Sequence, residues 1–255
     1  MKGQIMYPTF RYHALANLSA DEESALLSLG DREARWKAGE TIQREGDTVH
    51  GFYLHVSGWI HSSLVMRSGA RLIQKVHLPG DMLGTPNMAL DRAADTITTI
   101  TSAVTSFVPF ERFRDLFYHQ PRLAMLFTFA VQMERLSLMD TLAVTGRASA
   151  REQLARLFLD LHTRLTPLGV VSNDTFELPL TQEMIGDLTG ITAVHVNRTL
   201  RVLREEGLIE QKGHLFQILD LERLQAIAPI RPRTPRFEPD WLSSSREGNS
   251  NAAAS

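Results

Sequence analysis

Between Leu180 and Ile209 the chain runs Leu-Thr-Gln-Glu-Met-Ile-Gly-Asp-Leu-Thr-Gly, then Ile-Thr-Ala-Val-His-Val-Asn-Arg-Thr-Leu-Arg-Val-Leu-Arg-Glu-Glu-Gly-Leu-Ile. Few folds accept this pattern. Thr181 is an N-cap, because its hydroxyl can accept a bond from a backbone N–H that the first helical turn leaves free. Met184, Ile185 and Leu188 have the spacing of one buried helix face. Gly190 stands where the helix must stop and turn sharply, as a glycine in left-handed conformation does. Thr192 caps a second helix whose buried stripe is Val196, Leu200 and Leu203, and Gly207 ends it. The other face carries Ala193, Val194, Asn197, Arg198 and Arg201. Small residues there let a DNA major groove come close, Asn can pair with adenine, and Arg can pair with guanine. Leu208–Gln211 and Leu215–Ile218 then flank Lys212-Gly213-His214, a short hairpin beside the helix pair. An ordinary helical hairpin in a core would not need cap, turn glycine, arginine face and hairpin in this order. The stretch predicts a winged helix-turn-helix with Thr181, Thr192, Ala193, Val194, His195, Asn197, Arg198, Arg201 and Lys212 toward double-stranded DNA.

The charge balance says where affinity must come from. The whole chain has a net charge of −2. Residues 149–228 hold eight basic and eleven acidic groups, a balance of −3. Binding must therefore rest on the local Arg198/Arg201/Arg204 row, Lys212 and helix N-termini. The chain has no cysteine, which excludes disulfides, thiolate metal sites, iron–sulfur clusters and cysteine nucleophiles. No charged segment followed by an apolar core opens the chain, so no signal peptide is expected and the reading is cytoplasmic. The longest apolar tract, near Leu123–Val131, is too short to span a bilayer.

Ahead of this stretch the texture differs. Ser19-Ala-Asp-Glu22 is a capping box that opens a short helix running to Gly30. From about Arg35 to Phe107, short runs rich in Val, Ile, Thr and aromatics alternate with turns: Phe52–Val56, Trp59–Val65, Arg71–Leu78, and one run over Thr96–Val108. Many short strands at even spacing predict a jelly roll or small barrel. Pro109 precedes a short helix, and Pro121 opens a long one that should break at Thr145-Gly146-Arg147. Its apolar residues recur for about six turns, longer than a globular core usually needs. That predicts a coiled-coil seam between two copies through Leu126, Phe129, Met133, Leu136, Met139 and Ala143, with packing on the chain's own barrel as the other use of the same helix. Ser149-Ala-Arg-Glu152, a second capping box, restarts a helix at a domain boundary, and Asp220 caps a last one to Ala228. The predicted organisation is a barrel over 1–120, a dimer helix and hinge over 121–147, the DNA-binding unit over 148–228, and a disordered tail over 229–255 with four prolines. The fold class is α+β.

Barrel, long helix, hinge and winged helix-turn-helix, in this order, resemble the Crp/Fnr family of bacterial transcription regulators. The resemblance covers about residues 15–228. Its most specific part is Gln182–Gly186 with Gly190 and Thr192–Arg198, where Thr192 and Arg198 match the family's capping residue and arginine. It implies DNA reading at Ala193, Val194, Asn197 and Arg198, homodimer formation, a cyclic-nucleotide-binding-like barrel and RNA polymerase as a further partner. The best-known members carry Glu at the position of Val194, so their half-site is not expected here. Pro79-Gly80-Asp81-Met-Leu83-Gly84 is similar to the family's effector turn, where an acid binds a ribose hydroxyl. The resemblance thus implies an effector pocket at Gly80, Asp81, Leu83, Asp95 and Leu138 for an unidentified small molecule. Cyclic AMP is not expected, because Ala94-Asp95 stands where an Arg-Ser pair holds the phosphate and Leu138-Met139 where polar groups meet adenine.

Two other readings compete. A jelly roll can host a cupin-like metal enzyme, which needs two histidines one residue apart followed by Glu and His. Here His55 and His61 are six apart, and no metal site is predicted. Haem ligation by His50, His55, His61 or His77 competes with the commoner role of a lone strand histidine as a hydrogen-bonded residue, and no cofactor is predicted. A partner-binding module without DNA contact is the third reading, and the intact Arg198 row argues against it.

Overall fold

The computed structural model describes residues 8–230 and 233–242. Two short helices come first, α1 (Phe10–His13) and α2 (Ala20–Leu27). The α2 capping box forms as expected, with Glu22 N donating to Ser19 Oγ and Ser19 N to Glu22. Eight strands follow: β1 (Arg32–Trp36), β2 (Thr41–Gln43), β3 (Gly51–Ser57), β4 (Ile60–Val65), β5 (Arg71–His77), β6 (Met82–Leu83), β7 (Thr96–Thr99) and β8 (Ala103–Pro109). They build two four-stranded antiparallel sheets, β1-β8-β3-β6 and β2-β7-β4-β5, a jelly roll. Ile42, Ile60, Leu83, Ile97 and Ala103 fill the space between them.

The single run expected over Thr96–Val108 is two strands in different sheets. The chain crosses at Ile100-Thr101-Ser102, where Ile100 N donates to Trp59 O at 2.7 Å. Neither Gly nor Pro marks this crossing, so the alternation reads as unbroken.

Helix α3 (Phe110–His119) leads to α4 (Pro121–Arg147), which is 27 residues long. The expected break at Thr145–Arg147 does not occur. One glycine in a helix costs only about 1 kcal/mol. The helix ends instead where Ala148 and Ser149 turn extended and Ser149 caps α5 (Ala150–Leu165). The N-terminal third of α4 lies on the barrel: Leu123 and Leu126 join Tyr12, Phe52, Leu54, Val108 and Phe113 in one core. Leu126 is fully buried in its own chain, so it cannot belong to a seam between copies. Met133 also faces inward, lining a cavity, and Phe129 stacks edge-on against Trp241 at 5.6 Å. The apolar surface that α4 leaves open is Val131, Leu136, Leu138, Met139 and Leu142, the last 76% exposed.

The C-terminal unit continues with β9 (Thr175–Glu177), α6 (Gln182–Thr189), α7 (Ala193–Glu205), β10 (Ile209–Lys212), β11 (Leu215–Ile218) and α8 (Leu221–Ile227). The sheet order is β10-β11-β9, so the wing is a three-stranded sheet. Phe158, Phe176 and Phe216 form its centre, each buried to 2% exposure or less. Burying each such ring contributes roughly 1.5–3 kcal/mol. This core does not stop at the domain edge: Trp59, Val76 and Leu78 of the barrel belong to it.

The reading of residues 229–255 as a disordered tail fails for part of them. Residues 233–242 pack along α4 and against the barrel, and Leu242 is fully buried. Proline content suggested disorder, yet Phe237, Trp241 and Leu242 supply enough apolar surface to dock. The other parts of the predicted tail, residues 231–232 and 243–255, lie outside the described residues. Among the described residues no helix is long and apolar enough to cross a membrane.

Candidate nucleic-acid interface and its junction with the barrel

The helix pair is fixed by its caps and turn. Thr181 Oγ1 accepts from Met184 N at 3.2 Å, and Thr192 Oγ1 from His195 N at 3.3 Å. Gly190 has φ of +73°, and its N–H closes on Gly186 O at 2.8 Å. Gly186 itself is required: a Cβ there would lie 2.5 Å from Ile191 O. Gly186 closes the Gln182–Gly186 stretch that carries the family resemblance, and this close approach of the Ile191 carbonyl is the physical reason for a glycine there.

On α7 the inner stripe is Val196, Thr199, Leu200 and Leu203. Val194 is 81% exposed, and Asn197, Arg198 and Arg201 are exposed beside it. Thr181, Thr192 and Lys212 are exposed as well, whereas Ala193 and His195 are half-buried. Among the described residues Arg198 forms no ion pair or hydrogen bond, so its guanidinium is free for a base edge. Arg201 lies 3.7 Å from Glu205 and Lys212 2.8 Å from Glu210, both exposed pairs that a phosphate can displace. Asn197 Nδ2 donates to Gln182 Oε1 at 3.0 Å. Gln182, absent from the predicted set, therefore orients the Asn197 amide and joins the start of α6 to the exposed face of α7.

The predicted effector residues separate into two groups. Leu83 is fully buried between the sheets. Asp95 is stapled by Asn87, whose Nδ2 donates to it at 2.9 Å while Asn87 Oδ1 accepts from Ala94 N. Neither lines a cavity with the others. Gly80, Asp81 and Leu138 do, around a space of about 500 Å³ between barrel, α4 and α5 that also meets Arg11, Lys75, Glu134, Arg156 and Arg164.

Asp81 does not present its carboxylate to a ligand hydroxyl, contrary to the sequence expectation. It is 2% exposed and ringed by cations. Its Oδ2 accepts from Leu78 N at 2.9 Å and from Arg164 Nη2 at 3.0 Å, and Arg11 contacts Oδ1. Lys75 Nζ and His77 Nδ1 each stand 3.9 Å away. Burial alone would raise this carboxyl, but Arg11, Lys75 and Arg164 together hold it well below the usual range. Lys75 is pulled down to about 8 by lost hydration, against the pull of Asp81. The acid in the Pro-Gly-Asp turn is a structural anchor. Its cations come from α1, β5 and α5, which the sequence keeps far apart.

Arg164 also donates to Val76 O at 2.8 Å, and Arg71 on β5 pairs with Asp187 on α6 at 2.6 Å. The first helix of the DNA-binding pair is thus docked on the barrel by charge as well as by the shared apolar core. The strand histidines lie inside. His55 and His61 are pushed down to about 4, and His77 well below the ordinary imidazole value, mainly by burial. His55 bonds Ser57 O and His77 bonds Ser62 Oγ.

Residues 33–120 match the model of the cyclic nucleotide-binding domain, and residues 152–227 that of the Crp-like helix-turn-helix domain. The nitrogen fixation regulation protein FixK of Bradyrhizobium diazoefficiens is 30% identical over 214 residues, covering 84% of this chain and 88% of that protein. The chain belongs to the Crp/Fnr family. It is a sequence-specific DNA-binding transcription regulator, and Crp/Fnr proteins bind DNA through the helix-turn-helix and act as dimers. The transcriptional activator protein FnrA of Stutzerimonas stutzeri is 26% identical over 83% of this chain and 86% of its own length. Among solved structures, FixK2 from Bradyrhizobium japonicum superposes with a TM-score of 0.70 at 22% identity, covering 79% of this chain and 98% of that one. The c-di-GMP responsive regulator CLP from Xanthomonas campestris gives 0.64 at 17%, over 79% of this chain and all of its own. Those two likenesses carry the Crp/Fnr fold alone.

Proposed function

We propose that this regulator reads its site with Arg198, Asn197 and Val194, and that two copies join along α4 through Leu136, Met139, Leu142 and Ala143, with Val131 and Leu138 at the margin. The observation that carries the reading is Arg198: an exposed guanidinium with no partner among the described residues, one turn into a capped helix of the type that enters a major groove. Arg201, Lys212, Thr181 and Thr192 bind phosphate, the last two through the helix N-termini they cap. Ala193 allows close approach, and His195 lies at the edge of the contact. The protein works in the cytoplasm without chemistry of its own, and RNA polymerase is its further partner at a promoter.

The signal enters at the cavity between barrel, α4 and α5. A small effector there would touch Arg156 and also Lys75 and Arg164, two of the cations around Asp81, and so act on the node that docks the DNA-binding unit. The division of labour is sensor over 1–120, dimer helix over 121–147 and DNA-binding unit over 148–228.

Anisotropy titration of labelled genomic fragments at several salt concentrations tests the DNA reading. Arg201→Ala should weaken binding to all fragments and lower the salt slope by about one charge, while Arg198→Ala should cost roughly 1–3 kcal/mol per half-site on the preferred fragment only. Uniform losses for both variants would remove Arg198 from the base-reading set.

A further inference from the structure

The segment 233–242 lies outside both family-model matches, which end at 120 and 227. It makes three kinds of contact in a row. Arg233 grips Asp140 of α4 with two bonds, Nε and Nη2 each at 2.7 Å from a carboxylate oxygen. This fork-to-fork geometry is the strong form of the pair. Glu238 then reaches the linker between α1 and α2 and the start of α4: its N–H donates to Leu15 O at 2.8 Å, and its carboxylate accepts from Asn17 Nδ2 and Arg122 Nη2, both at 3.0 Å. Glu238 holds φ of +43°, a conformation disfavoured for a side chain with a Cβ, so these bonds fix a defined shape. Finally Trp241 stacks on Phe129, and Leu242 enters the core beside Tyr12, Leu15, Leu26, Leu123 and Leu126.

Arg122 is the reader of this segment. It donates to Leu242 O at 3.2 Å and to Glu238, while its other bonds go to Asn17 O and the buried Glu22. An arginine that binds one carboxylate and one main-chain carbonyl of a segment, next to a pocket for a leucine and a ring for a tryptophan, is the anatomy of a peptide-docking groove. The segment it holds begins just beyond α8, the last helix of the DNA-binding unit. The two halves are therefore joined twice, once through α4 and α5 and once through this strap.

We propose that the groove between α1, α2 and α4 is a peptide-binding site on the sensor half, and that residues 233–242 of this chain are its occupant. Occupied, it holds the DNA-binding unit against the barrel; emptied, it frees that unit to turn about Ala148-Ser149. The site recognises an acidic residue followed by Trp-Leu, the Glu238-Pro-Asp-Trp-Leu242 pattern.

The test uses the chain ended after Ile230 and a labelled peptide of residues 233–242. The shortened chain should bind the peptide saturably, and Glu238→Arg and Leu242→Asp peptides should bind at least about tenfold more weakly. The full chain should bind the peptide far more weakly than the shortened one, because its own strap fills the groove. A shortened chain that melts cooperatively yet binds no peptide overturns the proposal, as does equal peptide binding by both chains. If the shortened chain does not fold, trypsin cleavage after Arg236 in the full chain decides. It should be at least about tenfold faster in Leu242→Asp than in the wild type, and equal rates overturn the proposal.

Discussion

Arg164 of α5 donates to Asp81 of the β5–β6 turn at 3.0 Å, across 83 positions of the chain. The bond joins the DNA-binding unit to the barrel at a carboxylate that is 1% exposed in its side chain. Arg11 and Lys75 meet the same group. The node thus gathers the N-terminal helix, a barrel strand and the hinge-side helix around one charge. A second crossing, Arg71–Asp187, sits nearer the surface.

These two crossings should differ in weight. Asp81→Asn keeps the shape but takes from Arg11, Lys75 and Arg164 their shared buried anion, leaving Lys75 with Glu134 alone and Arg164 with Asp160 alone. Losing one partner of such a buried set costs about 3–5 kcal/mol. Asp187→Asn breaks a pair whose side chains are 40% and 25% exposed, and should cost about 0.2–1 kcal/mol. Urea unfolding of both variants at neutral pH measures the difference, and equal costs would refute the ranking.

Acid should loosen the barrel before its carboxylates titrate. In the unfolded chain His55, His61 and His77 take up protons near pH 6.5. In the folded chain His55 and His61 resist until about 4, and His77 is likewise held well below its ordinary value by burial. Between those limits the unfolded state holds more protons, so stability is full above about pH 6.5 and falls as pH drops. Asp81, with its folded value depressed, adds a further loss only below its ordinary range. Urea midpoints measured from pH 7.5 to pH 5 should decline steadily, and a flat profile would contradict the burial of these imidazoles.

Dimer formation depends on the open side of α4. Leu142 is 76% exposed in the single chain, so Leu142→Asp should leave the fold intact. In a seam between copies the same charge would be strongly unfavourable. Sedimentation should show a folded monomer for Leu142→Asp and a dimer for the wild type. A dimeric Leu142→Asp would move the interface elsewhere.

Much of this architecture was legible because its signals are local. Caps at Ser19, Ser149, Thr181, Thr192 and Asp220 each mark a helix start within one residue. Gly190 marks the turn. The misreadings share a cause, which is that their evidence lies far away in the chain. Leu126 and Leu136 have the same apolar pattern on α4, and only the barrel beneath Leu126 separates core from seam. Asp81 sits in a turn that resembles a ligand loop, and only Arg11 and Arg164 make it a structural charge. Residues 233–242 look proline-rich until Arg122 and Asp140 give them partners. Gln182 is ordinary as an N-terminal helix residue until Asn197 comes within 3.0 Å of it.

The most direct test of the account is selection of bound DNA from a random pool by wild type and by Arg198→Ala. The wild type should yield a near-palindrome with half-site centres roughly 10 bp apart and a fixed guanine in each half. Arg198→Ala should select the same spacing with that one position relaxed. An unchanged preference at every position would show that Arg198 does not read a base, and the central claim would fall.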